Sequence, residues 1–514
     1  MNRSRRVFVA RALALAAASL WRPVAAAPDV RVKFSADPFS LGVASGSPRL
    51  DSVALWTRLA PQPLTGGGLD PDPIEVRWEV ASDDKFARIL RRGTATALAE
   101  NAHSVHVEVD GLGPARWYYY RFLAGDAESP TGRTRTAATT GRGDDRLRLA
   151  FASCQQYEQG YFTAYRHLAK DAPDLVAFLG DYIYESSWGR DHVRKHGTPE
   201  PKTLADYRNR HALYRGEADL QLAHACAPWI VTWDDHEVEN DYANDRSEDL
   251  DPQFLVRRAA AYRAYFEHMP LRPSVRREGG EVRLYDRFNW GTLAAIHVLD
   301  DRQYRSHQVC PKPGKGGATT VGASCTQRLD ESLTLLGREQ ERWLDESLAK
   351  SEARWNLIAQ QTLIAPAGMA GKNGIEHWTD GWDGYPAARD RLLGSIATHK
   401  PRNPVVISGD VHANYVANLR AGARPDGAII ATEFCGTSIT SQGPDPKRVQ
   451  ARRDGNPDIL LADGGQRGYG LLEITKTSVE AKLRVVESVK VRDAGISTAA
   501  TFQVDEGRAG AQQK

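Results

Sequence analysis

Beyond its amino terminus the chain holds no apolar run long enough to cross a bilayer as a helix, so no stable membrane insertion is expected. Surplus charge of either sign is also missing. There are 67 Lys and Arg against 65 Asp and Glu, a formal net charge of +2. Such a balance carries no electrostatic footprint for nucleic acid or for an anionic membrane surface. Cysteine is sparse, with five in 514 residues, and the odd count rules out complete pairing into disulfides. A Gly-x-Ser-x-Gly elbow is absent as well. Near Ser45 the chain reads Val43-Ala44-Ser45-Gly46 within a β-rich stretch, which removes the usual serine hydrolase. No internal repeat is present.

At 514 residues the chain exceeds one ordinary core, and two or more domains are expected. Residues 1–27 combine a basic start, an apolar middle and a run of small residues, the grammar of a secretory signal. Ser4-Arg5-Arg6-Val7-Phe8-Val9 sets paired arginines ahead of the apolar stretch, as twin-arginine signals do. Cleavage fits after Ala27 or after Ala26, and the second register avoids Pro28 at the new terminus. The expectation is export of a folded chain by the twin-arginine translocase, to the periplasm or out of the cell. In that oxidising setting Cys310 and Cys325 flank a Gly/Lys/Pro loop without packing residues. A disulfide between them is expected, worth about 3 kcal/mol for a loop of this size. Cys226 lies in an Ala-rich helical stretch and reads as a small buried hydrophobe.

Residues 37–137 read as a β-sandwich of immunoglobulin or fibronectin type. Short alternating segments such as SVALWTRL, IEVRWEVA and HSVHVEVD lie between Gly- and Pro-containing turns. From 146 to 487 the grammar becomes strand, loop, helix, as in a layered α/β sheet flanked by helices. Residues 488–514 lose the apolar pattern and are expected to form a tail or a lid.

Five segments in the second region run apolar for a strand's length and then end in a chemically active residue. LRLAFASC ends at Cys154, and DLVAFLGDYIY carries Asp181 and Tyr184. WIVTWDDHEVEND carries Asp234, Asp235, His236, Asn240 and Asp241; LAAIHVLDDRQY carries Asp300; PVVISGDVHANY carries Asp410 and His412. In α/β sheets ligands gather outside the carboxyl ends of strands. Singly, each residue has a plain structural reading: a helix N-cap for Asp181, packing for Tyr184, an inert buried thiol for Cys154, an ion pair for Asp410 and His412. Together they point to a dinuclear metal site. A carboxylate can bridge two cations, a phenolate suits ferric iron, and adjacent acids such as Asp234 and Asp235 repel unless a cation or donor is near. In an extended segment residues two apart point the same way, so Asp410 and His412 can reach one centre. Arg302 has two readings, a bidentate phosphate clamp and a structural pairing with Asp300, of which the second is favoured. Gln360 and Gln361 end another strand, ARWNLIAQQ, as candidate pocket lining.

The order strand-Cys, GD-x-x-Y, DDHE, GD-x-H resembles the calcineurin-like metallophosphoesterases, and within them the PhoD-type alkaline phosphatases. FSLGVASGSP, ALWTRL, VLDDRQYR and LGREQERWL fit too, so the resemblance runs from roughly residue 37 to 485. Cys154 stands where the wider superfamily has its first Asp-x-His block. Asp235 replaces an Asn, and Asp410 replaces the first His of the last block. The resemblance implies an αββα catalytic domain preceded by an all-β domain. It implies Fe(III) on Cys154, Asp181, Tyr184 and His412. One or two Ca(II) would sit on oxygen ligands that include Asp181, Asp235 and Asp410, with Asn240 or Asp241 serving a further calcium. The choice of Asp235 over Asp234 follows the family block. The implied chemistry is hydrolysis of phosphodiesters and phosphomonoesters at alkaline pH by metal-activated hydroxide, for phosphate acquisition by a monomer. His236 would stabilise the transferring group or protonate the leaving oxygen. Two other readings stay open: a phospholipase D-like or polymer-directed phosphodiesterase, marked by a deep apolar or an open basic groove, and a non-catalytic exported binding protein.

Overall fold

The segments read as strands fold as strands, and their alternation sets the layers. In Arg146–Ala152, residues Leu147, Leu149 and Phe151 enter the core between two sheets, while Ala150 and Ala152 join a helix-covered face. Trp355–Ala359 repeats the pattern in the other sheet: Trp355, Leu357 and Ala359 face the first sheet, and Ile358 faces helices. Strands covered on both faces need continuous apolar sequence. Each fully buried Leu, Ile or Phe in the inter-sheet layer contributes about 1.5–3 kcal/mol of transfer free energy. The structure is a computed structural model that describes residues 32–277, 280–372 and 374–514. The signal expected over residues 1–27 lies outside the described residues.

The first sheet has ten strands in the order Gln512–Gln513, Ile496–Asp505, Ser478–Val486, Arg467–Thr475, Arg146–Ala152, Leu175–Leu179, Trp229–Thr232, Val43–Gly46, Val53–Arg58 and Ser104–Val109. The second has seven: Asp286–Trp290, Ala294–Val298, Trp355–Ala359, Pro404–Ser408, Ile429–Cys435, Asn414–Arg420 and Ile459–Asp463. Parallel strands at the middle of each sheet aim their carboxyl ends at one edge of the sandwich. Helices Thr163–Lys170, Leu204–Arg215, Ala218–Cys226 and Phe254–His268 cover the first sheet. Arg338–Ala349, Pro386–His399 and Pro446–Gly455 cover the second. The result is the expected αββα order of layers.

The all-β segment precedes it as expected, with one addition. Three of its strands extend the first sheet: Gly46 pairs in parallel with Trp229, and Val53–Arg58 and Ser104–Val109 follow outward. This pairing covers the edge of Trp229–Thr232 at its first residue, where Ser47 N donates to Trp229 O at 2.9 Å. A separate five-stranded sheet of Ile89–Ala97, Ile74–Ala81, Trp117–Ala124, Ala127–Glu128 and Gly132–Arg135 completes the segment. Phe34–Lys514 therefore form a single compact unit, although two segments are legible along the sequence. The carboxyl terminus differs from expectation more plainly. Residues 488–514 are neither tail nor lid, because Ile496–Asp505 pairs along its length with Ser478–Val486, and Gln512–Gln513 pairs with its outer side to end the sheet. Ala500, Phe502 and Val504 enter the inter-sheet core. Cys310 and Cys325 are joined as a disulfide, while Cys154, Cys226 and Cys435 are free.

Candidate metal centre

The strand ends turn sharply to deliver their side chains. After Leu175–Leu179 comes Gly180, at φ 102°, where an added Cβ would lie 2.4 Å from the Asp234 Cβ. Only glycine lets these two loops touch. Five candidate ligands then occupy the left-handed region without being glycine: Cys154 (φ 59°), Asp181 (59°), Asp241 (53°), Asp410 (62°) and His412 (52°). Such conformations cost about 1–3 kcal/mol each and persist only where the surroundings impose them. Here the backbone of one loop bonds the next: Cys154 N donates to Gly180 O at 3.0 Å, and Gln155 N to Asp181 O at 3.1 Å.

The delivered groups form three linked sets. Ligand atoms of Cys154, Asp181 and His412 lie within 4.8 Å of one another, and the same holds for Asp181, Asp235 and His236, and for Asp235, Asp241 and Asp380. Asp181 belongs to the first two sets and Asp235 to the last two. Tyr184 joins the first set, its hydroxyl 2.8 Å from Asp181 Oδ2 and 3.2 Å from His412 Nε2, and it accepts from Ser441 Oγ at 2.8 Å. All three sets border one cleft of about 780 Å³, which Asp410 and Asn240 also line. Thr362 Oγ1 donates to Asp410 Oδ2 at 2.6 Å, and the Asn240 amide donates to Glu248 Oε2 at 3.0 Å. His236 Nδ1 is 2.7 Å from Glu185 Oε2, and its ring lies 4.1 Å from that of Tyr184.

Burial drives the electrostatics. It lifts Asp181 well above the ordinary carboxylate range, with Asp235 and Glu237 adding to the effect and His236 opposing it. Burial likewise pushes Asp410 up to about 6. Cys154 and Tyr184 rise too, first through burial and then through the charge of Asp181. His412 is pushed down to about 3 by burial, with Arg467 and His236 adding, so its imidazole is neutral and keeps a lone pair free. For His236 burial opposes the charged form, but Glu185, Asp235 and Asp181 outweigh it and hold the ring protonated. Asp181 Oδ1 is buried without a hydrogen-bond partner. A thiol, a phenol, an orphan carboxylate oxygen and a neutral imidazole converging on one point need a multivalent cation to be ionised together.

Three sequence expectations change here. The phosphate-clamp reading of Arg302 gives way, because its guanidinium is 1% exposed and fully engaged. It grips Asp380 at 2.9 and 2.6 Å, bonds Asp234, and lies 3.7 Å from Asp235. Arg302 is a positioning residue that fixes three carboxylates. Its pairing is not with the Asp300 side chain, which instead accepts the backbone N–H groups of Arg302 (3.1 Å) and Gln303 (3.0 Å) and so shapes the turn. Gln360 and Gln361 do not line the cleft. Gln361 ties Thr232, Trp233 and Leu299 together, and Gln360 bonds Thr362 and Trp382. Asp234 is spent on Arg302, whereas Asp235 belongs to two of the ligand sets. Replacing Arg302 by Met strips the buried Asp234 of its guanidinium partner and leaves Asp380 with Arg305 as its remaining ion-pair partner. We expect a loss of about 3–5 kcal/mol in urea unfolding, and a loss under about 1 kcal/mol would contradict this role.

Sequence reasoning passed over Asp380, Glu185 and Glu237. Glu185 directly follows DYIY and was within sight of the motif. Glu237 accepts the backbone N–H groups of Tyr182 (2.6 Å), Asp234 (2.8 Å) and Asp181 (3.2 Å), which locks two ligand loops together.

Carboxylate-rich sets joined by shared acids, at the strand ends of an αββα sandwich, are the build of a hydrolase of phosphoric esters. The family model described as PhoD-like phosphatase matches residues 149–483, and that for the PhoD-like phosphatase N-terminal domain matches residues 24–138. The chain belongs to the PhoD-like phosphatase family and is a phosphoric ester hydrolase. It is 46% identical to alkaline phosphatase D of Bacillus subtilis (strain 168) over 501 residues, covering 95% of this chain and 83% of that relative. The solved structure of PhoD superposes with a TM-score of 0.89 at 45% identity, covering 94% of this chain and 93% of the other. Membership of an enzyme family removes the reading as a non-catalytic binding protein.

Proposed function

We propose that the chain is an exported phosphoesterase that opens phosphodiesters and phosphomonoesters at alkaline pH, uses Fe(III) and Ca(II), and serves phosphate acquisition. The observation that carries this reading is the sharing of Asp181 and Asp235 among three ligand sets in one acidic cleft. A phosphoester is anionic, and such a lining repels it until cations occupy the sets. The donors fit two kinds of cation. Cys154, Tyr184 and His412 beside Asp181 make a mixed sulfur, phenolate and imidazole set suited to iron. Asp235, Asp241 and Asp380 make an all-oxygen set suited to calcium, with Asp410 and Asn240 as further oxygen donors on the same cleft. When bound, these cations stabilise charge on the phosphoryl oxygens and make water a competent nucleophile.

The protein's own groups orient and supply protons. His412 Nδ1 is 3.0 Å from Gln442 O, which leaves Nε2 turned toward Tyr184 and Asp181. Ser441 and Thr362 fix Tyr184 and Asp410 in the same way. Glu185 occupies Nδ1 of His236, which leaves Nε2 to give a proton to the departing alkoxide. The cleft is neither a deep apolar groove nor an open basic one, which supports small phosphoesters over the lipid-directed and polymer-directed readings. Export is supported by Ser4-Arg5-Arg6-Val7-Phe8-Val9. No helix among the described residues is long and apolar enough to cross a membrane.

The test is hydrolysis of bis-p-nitrophenyl phosphate at alkaline pH by the exported fraction, with calcium, with EGTA, and for Cys154→Ala. Activity that needs calcium and disappears in Cys154→Ala is expected. Arg5→Lys/Arg6→Lys should empty the exported fraction of activity. Turnover indifferent to EGTA and to Cys154 would overturn the iron–calcium assignment.

A further inference from the structure

Trp378 ends the strand Gly374–Trp378 and remains 43% exposed, inside a cleft whose lining is otherwise dominated by carboxylates. A single exposed apolar side chain on a convex surface needs no explanation. This one stands two residues before Asp380, a member of the third ligand set, and two residues span at most about 7 Å of chain. Its position is held rather than loose. Trp378 pairs with Thr320, while Thr379 N donates to Thr319 O at 3.1 Å and Thr319 N donates to Thr379 Oγ1 at 2.9 Å. The segment that carries Thr320 is itself closed by the Cys310–Cys325 disulfide. The cleft's other indole, Trp188, is committed: it stacks on His412 with ring centres 5.6 Å apart and planes 6° from parallel. Trp378 has no ring or guanidinium partner of that kind among the described residues.

We propose that Trp378 is a specificity-determining residue that stacks on a planar ring in the alcohol half of the substrate, so that nucleoside and aryl phosphoesters are preferred over esters of ring-free alcohols. The inference rests on the phosphoesterase reading of the cleft and names the substrate class it selects. A cleft of about 780 Å³ lies in the range of small-molecule sites and has room for more than a phosphoryl group. A ring stacked on an aromatic side chain changes binding by roughly 5–150-fold when that side chain is cut to alanine. Among the side chains that line the cleft, Trp378 supplies an exposed, unpartnered ring face for stacking.

The experiment compares adenosine 5′-phosphate with glycerol 1-phosphate, each as the monoester and as its methyl diester, on the metal-loaded enzyme. Both alcohols leave as primary alkoxides, which matches the leaving groups, and ribose 5-phosphate run beside them separates the ring's contribution from the sugar's. The adenosine esters should show the higher kcat/KM in the unaltered protein. Trp378→Ala should lower the adenosine-to-glycerol ratio of kcat/KM roughly 5–150-fold, mainly through KM, and Trp378→Phe should restore most of it. A ratio that Trp378→Ala leaves within about twofold, or an unaltered protein without preference, overturns the proposal while the phosphoesterase reading stands. If the unaltered protein opens none of the four esters, the reading of the cleft falls and the proposal with it.

Discussion

Asp181→Asn is expected to abolish turnover, by more than about a thousandfold, while making the chelated protein more stable at pH 8. Both effects come from one position. Asp181 belongs to two ligand sets, so the substitution deprives both of an anionic donor at once. It also removes the most awkward charge in the metal-free fold: a carboxylate buried beside Asp235, Glu237 and Asp410, with one oxygen unpartnered. The sign follows from its raised pKa. The folded chain holds the proton that the unfolded chain releases near 3.9. The stability tied to that proton is complete below about pH 4 and is lost as pH rises toward the folded value. At pH 8 the native state therefore carries a penalty that asparagine does not. Melting curves in EGTA should show Asp181→Asn above the unaltered protein at pH 8, with the gap closing toward pH 4. With saturating calcium and iron the order should reverse, because only the unaltered protein gains the binding free energy of the cations. A variant less stable than its parent in EGTA at pH 8 would contradict the account of Asp181 as a group strained for the sake of its ligand role.

How far this site could be read from the chain depended on how each residue reaches it. Cys154, Asp181, Asp235 and Asp410 end apolar runs of strand length, and that grammar alone locates them. Asp380 follows no such run. It comes from the polar stretch HWTDGWDGYP, and its place beside Asp235 and Asp241 is set by long-range bonds from Arg302, Arg305 and Gln308. Arg302 was visible but ambiguous, since a sequence does not say which of the nearby acids a buried guanidinium will take. The left-handed backbone at Cys154 has no mark in the sequence, and at Asp181 and Asp410 only the weak one that aspartate tolerates that conformation better than most residues. The same reasoning explains the terminal strand. In ISTAATFQVD the alternation is confined to Ala500, Phe502 and Val504 inward against Thr501, Gln503 and Asp505 outward, while Ser497, Thr498 and Ala499 before them are all exposed, so the period-two run is too short to stand out. The sharing of one sheet by Gly46 and Trp229 is a pairing across most of two hundred residues, which local patterning cannot express. Layer order was legible because the apolar periodicity of each element is local; partners across the sandwich were not.

Glu185→Gln is expected to move the alkaline limit of activity to lower pH, and His236→Gln to flatten it. Glu185 lies 2.7 Å from His236 Nδ1 and is the largest influence holding that ring protonated against its burial. Glutamine keeps a hydrogen-bond acceptor at the same place but removes the charge, so the His236 pKa falls. The proton needed by the leaving alkoxide is then lost at a lower pH, and kcat should drop on the alkaline side while changing less near neutrality. His236→Gln removes the donor altogether and should lower kcat by about 10²–10⁴-fold for an alkyl phosphoester. The loss should be much smaller for a p-nitrophenyl ester, whose leaving group departs without help from an acid. That contrast separates a proton donor from a residue that only binds the phosphoryl group, since a pure binding role would affect both esters alike. It also separates catalysis from structure. Glu185 further accepts the Asn240 backbone N–H at 3.2 Å through its other oxygen; glutamine's single carbonyl oxygen stays with His236 and that second bond is lost, at a cost of about 1–3 kcal/mol that leaves the fold standing in Glu185→Gln. An alkaline limb that stays in place in Glu185→Gln, with equal losses on both esters in His236→Gln, would show that the leaving oxygen takes its proton from elsewhere and that the Glu185–His236 pair serves to hold the second ligand set in shape.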